Sequence, residues 1–210
     1  MKSLKINRGL LSLISSISSD DELEQFLLDK LDLSSADLSS ASLKYGIISH
    51  SNLSLADFRK SYFKQVIFEV DDLSSAKFSD LVVEESQFSD CRATGLIASD
   101  SKFKSVTFKN CKFDLANFRM SSFQKVIFED CDLTEADFYD AKLKSAKFIN
   151  CRLDGADFSQ AELNEVDFSD SGSLLKLKGL DYLKGAIINN NQLIEIAPAL
   201  ALQIGIEAKD

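Results

Sequence analysis

Cys91, Cys111, Cys131 and Cys151 are the only cysteines in the chain, and each follows the last by twenty residues. Thiols can hold a metal ion or exchange disulfides, so this interval is the first place to look for chemistry. A structural zinc site needs thiolates that converge tetrahedrally on one point. A disulfide needs two Cβ atoms that face each other. A fixed interval instead puts one thiol on each repeat of a regular structure, all on one line with parallel side chains. The four therefore read as one small, reduced core residue per repeat. His50, the single histidine, stands between Ser49 and Ser51, but no orienting acid or oxyanion site accompanies it. There is no glycine-rich phosphate loop, HExxH or CxxC motif, and the recurring Asp residues do not form an EF-hand loop. The expectation is a protein without catalytic, metal-binding or cofactor-binding residues.

The elements that place the cysteines follow from a shorter period. From Leu33 an apolar residue recurs at every fifth position, through Leu38, Leu43, Ile48, Leu53 and Phe58 to Leu163 and Phe168. Ala93 and Ala98 keep the register with smaller side chains, and no insertion breaks it. Two residues before most of these stands a small residue, as in ADFYD (136–140) and ADFSQ (156–160). A step of five would smear apolar residues around an α-helix by about 140° each time, and it is not the alternation of a flat strand. If five residues form one side of a coil, the cysteine interval makes the coil four-sided. Val66, Val106, Val126 and Val166 share one class of that interval, and Ala36, Ala56, Ala76, Ala116, Ala136 and Ala156 another. The expected architecture is an all-β solenoid of about seven coils over 31–170, a rod about 33 Å long at one strand spacing per coil. Phe68, Phe88, Phe108, Phe128, Phe148 and Phe168 should stack in one column. Asp71 interrupts the small column that Cys91 continues, so a partner or a distortion is expected there. Leu96 and Ala98 should exchange volume.

The motifs ADL (36–38), ADF (56–58, 136–138, 156–158) and VDF (166–168) resemble those of pentapeptide-repeat proteins. That resemblance implies a right-handed quadrilateral β-helix. Rod ends need caps. Ser19-Asp20-Asp21-Glu22 reads as a capping box, giving an N-terminal helical cap over 1–30. The segment 171–210 opens at a Ser-Gly-Ser break and continues as an apolar helix interrupted or kinked at Pro198. This tail, with Gln203-Ile204-Gly205-Ile206, resembles the C-terminal segment of Qnr- and MfpA-type fluoroquinolone-resistance proteins. In those proteins the segment pairs two rods, which implies a homodimer here through Leu193, Ile196, Leu200, Ile204 and Ile206.

The formal net charge is −9 and the pI about 4.7, which speaks against direct nucleic-acid binding. No apolar run is long enough to span a bilayer, and the N-terminus lacks a cleavage-site pattern, so no membrane partner and a cytoplasmic location are expected. Sorted by side of the coil, one side is net basic, with Lys44, Lys64, Lys102, Lys104, Lys125, Lys142 and Lys144; the other three are net acidic. One acidic side carries Asp37, Asp57, Asp80, Asp100, Asp137, Asp140 and Asp157, and another carries Glu129 and Asp130. The resemblance implies a DNA mimic that contacts a type II topoisomerase through such acids. The charge density tempers this, because duplex DNA carries about one charge per 1.7 Å. The alternative is a scaffold or regulatory rod with another partner.

Overall fold

Each five-residue unit buries one apolar side chain and then turns a corner, and in the computed structural model, which describes residues 4–203, 205 and 206, this repeats along the chain. The corner residue is left-handed even where it is not glycine: Ser35, Ser40, Tyr45 and His50 have φ of 59°, 59°, 58° and 52°. Two sides of the coil are short strands, most of three residues, that stack as parallel sheets. One sheet has eight strands, from Ser12–Leu13 to Lys147–Ile149, and the other has seven, from Glu22–Glu24 to Lys142–Lys144. The remaining two sides are held by single-residue parallel bridges such as Asp32↔Asn52 and Asp37↔Asp57. On these sides the corner is hydrogen-bonded, with the Ala36 N–H donating to the Leu33 carbonyl at 3.1 Å and the Ala136 N–H to Leu133 at 3.0 Å. The left-handed third residue is that of a type II turn. The expected four-sided rod of stacked coils is the observed fold.

The interior is a set of columns. Phe68 stacks on Phe88 with ring centroids 4.4 Å apart, and Phe108–Phe128, Phe128–Phe148 and Phe148–Phe168 stack at 4.9, 5.0 and 4.8 Å. Phe88–Phe108 is tilted by 32°. Leu96 and Ala98 are both buried. Full burial of one such Phe or Leu contributes about 1.5–3 kcal/mol.

Among the described residues the N-terminal helical cap does not form; a single 3-10 turn at Arg8–Leu10 is the only helical element there. Residues Glu22–Glu24 and Phe26–Asp29 are strands of a coil. Leu23 and Leu28 lie in the same five-residue register as Leu33, so the solenoid begins before Leu31. Asp21 binds backward, accepting from the Ser18 N–H at 2.7 Å and the Ser18 hydroxyl at 3.1 Å, so Ser19 opens no helix. Ile17 joins the core cluster at this end. Further upstream, Arg8 pairs with Glu69 and holds the N-terminal segment against the eight-stranded sheet. On that side Ile47 and Ile67 face outward by strand alternation yet are buried.

At the other end the coil path continues past Asp170. Asp157 bridges Lys178 and Asp167 bridges Ile187, the first pair carrying one extra residue. Helix α1 (Asn190–Gln203) follows and runs through Pro198 without interruption. Its N-terminus is a capping box: the Gln192 N–H donates to Asn189 Oδ1, and the Asn189 N–H to Gln192 Oε1, both at 2.9 Å. Gln192 Nε2 also donates to the carbonyls of Phe168 at 2.9 Å and Gly172 at 3.0 Å. One buried amide thus starts the helix and closes the last regular coil.

Two columns carry irregular residues. Phe26 occupies a position that is small in most coils, and the next residue in its column is Gly46. A Cβ on Gly46 would stand 2.2 Å from the Phe26 ring, so glycine is there for space. In the neighbouring column the order is Ser51, Asp71, Cys91, Cys111, Cys131, Cys151. The thiols are free and buried and donate to carbonyls, as Cys151 Sγ does to Phe128 at 3.3 Å. A hydrogen bond to the next thiol, followed by burial, pushes Cys91 and Cys111 well above the usual thiol range. Asp71 is buried like its neighbours and has the partners that its position demanded: Oδ1 accepts from the Ser51 N–H at 2.8 Å and Oδ2 from the Glu69 N–H at 3.1 Å. Burial nevertheless outweighs these bonds and pushes its carboxyl up to about 7.

Gly46→Ala should destabilise the fold by about 1–3 kcal/mol through overpacking, read as a lower urea midpoint, and Phe26→Val in the same chain should restore part of the loss. Asp71 makes a separate prediction. Because its folded pKa lies above the unfolded value of about 3.9, its contribution is fully present below that value and is lost as pH rises toward 7. Asp71→Ser, which matches Ser51, should flatten the pH dependence of the melting temperature across this window and raise stability at pH 8. Equal pH profiles for the two proteins would show that Asp71 does not titrate there.

Candidate interaction faces

No group of three or more His, Cys, Asp or Glu side chains converges as a metal site among the described residues. His50 is an exposed corner residue with Nδ1 at 3.4 Å from Asp29. The candidate residues are therefore outward-facing charges, and the coil sorts them into two kinds.

The first kind precedes a core residue and clamps the turn that follows, as Asp side chains do two residues ahead of a backbone N–H. Asp37 Oδ1 accepts from the Ser39 N–H at 3.1 Å and the Ser39 hydroxyl at 2.7 Å, and Asp157 accepts from the Ser159 N–H at 2.8 Å. Asp57 accepts from the Arg59 N–H at 3.1 Å and holds the guanidinium through Nη2 at 2.6 Å. Asp137 accepts from the Tyr139 N–H at 2.9 Å and from Arg119 Nη1 at 2.9 Å, with the guanidinium 4.2 Å above the Tyr139 ring. These bonds hold the carboxyls of Asp37, chiefly through the Ser39 hydroxyl, and Asp57, chiefly through Arg59, below the usual range. Asp32, Asp132 and Asp167 do the same work on other sides.

The second kind stands at the corners. Asp80, Asp100 and Asp140 have φ of 59°, 60° and 54° and are exposed. Among the described residues their carboxylates have no hydrogen-bond or ion-pair partner. Asp130 is also a corner residue but accepts from Asn150 Nδ2 at 2.7 Å, and Glu129 is paired with Lys109 at 2.6 Å. Of the nine acids singled out in the sequence, three are thus free at one corner. The signal that would have separated them is position: the clamps stand one residue before the core side chain and the free acids two after it.

The tail residues also divide. Ile196 is fully buried against the chain's own core, and Leu200 is half-buried. Leu193 and Ile206 are 48% and 54% exposed, as are Ile194 and Leu202 more strongly. Ile204 lies outside the described residues. No helix among the described residues is long and apolar enough to cross a membrane.

The chain matches pentapeptide-repeat profiles over residues 36–69 (pentapeptide repeats, 8 copies), 95–146 (pentapeptide repeats, 9 copies) and 121–174 (pentapeptide repeat region). No curated protein sequence matches it. Among solved structures it is similar to a trypsin-treated form of QnrB1, a plasmid-mediated fluoroquinolone resistance protein, at 17% identity, covering 91% of this chain and 100% of that one with a TM-score of 0.47. It is similar to HetL, a pentapeptide repeat protein involved in heterocyst differentiation regulation in a Nostoc cyanobacterium, at 18% identity over 81% and 86% with a TM-score of 0.34. A pentapeptide repeat protein from the Arabidopsis thaliana thylakoid lumen matches at 15% identity over 60% and 73%, with a TM-score of 0.34. With profile matches that together span more than half of its length, and with one core residue and one left-handed corner in each five, the chain belongs to the pentapeptide-repeat family.

Proposed function

We propose that the chain is a non-enzymatic, cytoplasmic rod that binds another protein through its acidic sides, as a partial mimic of duplex DNA. DNA gyrase and topoisomerase IV are the partners to test. The observation that supports this reading best is the corner of Asp80, Asp100 and Asp140, whose exposed carboxylates have no competing partner among the described residues. Basic groups that ordinarily meet phosphates can meet these at fixed rung spacing. The clamping acids are poorer contacts, because one oxygen of each is already committed to its turn. Duplex DNA over the same 33 Å would carry about 19 charges, so the mimicry is confined to a corner rather than spread over a side. The tail resemblance supports pairing of two copies through Leu193 and Ile206, with Leu200 at the margin. The lysine-rich side favours the second reading, a scaffold whose partner is not a topoisomerase.

The test is DNA supercoiling by purified gyrase, titrated with this protein with and without a fluoroquinolone. Inhibition, or relief of drug-induced cleavage, is expected. Replacing Asp80, Asp100 and Asp140 together by Asn, which tolerates the left-handed corner, should abolish the effect and leave the melting temperature nearly unchanged. Asp57→Ala should do the reverse, lowering the melting temperature because nothing in that turn then accepts the Arg59 N–H. No effect of the native protein at high micromolar concentration would remove the topoisomerase reading and leave the scaffold.

A further inference from the structure

The seven-stranded side carries a compact frame of lysines. Lys102 and Lys104 flank the buried Phe103 on one strand, and Lys142 and Lys144 flank the buried Leu143 two strands on. Strand alternation therefore sends all four outward. Lys125 stands at the corner of the strand between them, with φ 54°. All five are exposed. The parallel register Lys102↔Ser122↔Lys142 and Lys104↔Gln124↔Lys144 fixes their spacing, about 9.6 Å across two rungs and about 6.6 Å along a strand. The outward residues between them, Ser122 and Gln124, are uncharged. Among the described residues Lys102, Lys125 and Lys144 have no ion pair, while Lys104 and Lys142 lean to the edges, toward Glu84 at 3.8 Å and Glu162 at 3.5 Å.

The next shell out has the opposite sign. Glu84 and Glu85 lie on the preceding rung, Glu162 and Glu165 on the following one, and Asp100 and Asp140 along the adjoining corner. Six carboxylates thus surround five ammonium groups, and this pattern selects the class of partner. A bilayer or a nucleic-acid duplex presents negative charge over an area wider than the frame. Such a surface would meet the ring as well as the lysines, and the two nearly cancel. An acidic element no wider than the frame meets the lysines alone, because a Debye length of about 8 Å weakens the ring's effect at the centre. Basic groups around that element would be attracted to the ring, which adds register as well as affinity. A shallow groove of about 280 Å³ bordered by Lys142, Leu143, Lys144, Glu162 and Asn164 lies beside the frame and can seat a side chain.

We propose that this frame is the docking site for a compact acidic segment of a partner protein, one that places a few carboxylates within about 10 Å of each other. The proposal rests on reading the chain as a protein-binding rod, but it fails independently of the topoisomerase assignment, since lysine variants leave Asp80, Asp100 and Asp140 in place.

The test uses the full chain and a short fluorescent peptide of alternating Asp and Glu, followed by anisotropy at low salt. Binding is expected, weakening steadily as salt is added. The double variant Lys102→Glu and Lys144→Glu should bind about tenfold more weakly, a loss of about 1.4 kcal/mol, with an unchanged melting temperature because both side chains are exposed. Phosphatidylserine vesicles and a DNA duplex, offered under the same conditions, should bind more weakly than the peptide. No binding of the peptide, equal binding by the variant, or tighter binding of vesicles or duplex would overturn the proposal.

Discussion

A left-handed corner every fifth residue is the constraint on which the rest of this molecule depends. For an L-residue with a side chain that conformation costs about 1–2 kcal/mol, and here it is met by Ser, Asp, Lys, Glu and even the β-branched Val70. One buried Leu or Phe per unit contributes about 1.5–3 kcal/mol, so a single unit stands only slightly ahead of its own corner. The margin comes from repetition. Each coil satisfies its backbone groups on the next, as when the Lys112, Asp132 and Arg152 N–H groups donate to the carbonyls of Cys91, Cys111 and Cys131, all at 3.0 Å. A coil in isolation would lose these bonds and its core contacts with the neighbouring coils, so stability is collective along the rod.

Stacking in register also makes each residue answer to the one a coil away rather than to its sequence neighbours. Phe26 is tolerated because Gly46 is next in its column, and Asp71 because the Ser51 N–H meets it from the coil before. Asp132, Asp137 and Asp167, which precede core side chains, bind both within their own turn and across coils, as Asp137 does with Tyr139 and Arg119. The cysteine column repeats one hydrogen-bond pattern at each step, each thiol donating to the carbonyl two residues before it.

The middle of the fold was legible because its period never slips. Core columns, the buried thiols and the Phe stack all follow from counting in fives and twenties. The ends were less legible, for physical reasons. At the start, the Ser19–Glu22 pattern satisfies the residue types of a capping box, but Leu23 and Leu28 continue the five-residue beat and pairing with the strand Ser42–Lys44 outweighs a local helix. The oversized Phe26 hid this, since it fills a position where a small residue marks the repeat elsewhere. At the far end one extra residue before Lys178 breaks the count while the coil path persists. The true capping box, Asn189 with Gln192, uses amides whose second role, closing the carbonyls of the last coil, has no sequence signature. The burial of Ile47 and Ile67 was equally invisible, because strand alternation alone turns both outward.

Surface recognition inherits the same column logic. Thirty-three acidic and 24 basic side chains suggest a strongly anionic rod, yet much of that charge is internally matched. Lys44 with Glu24, Lys109 with Glu129 and Lys147 with Asp167 each pair across one coil, because equivalent positions on neighbouring coils lie within reach of two long side chains. Such exposed pairs add little stability, about 0–1 kcal/mol each, but they remove charge from view. The charge left uncompensated includes three free carboxylates along a corner and a lysine frame bounded by acids. Both are small compared with the rod and fixed in spacing by the coils beneath them. On a rod built this way the placement of uncompensated charges carries more information than their number, and net charge is a poor guide to the surface it presents.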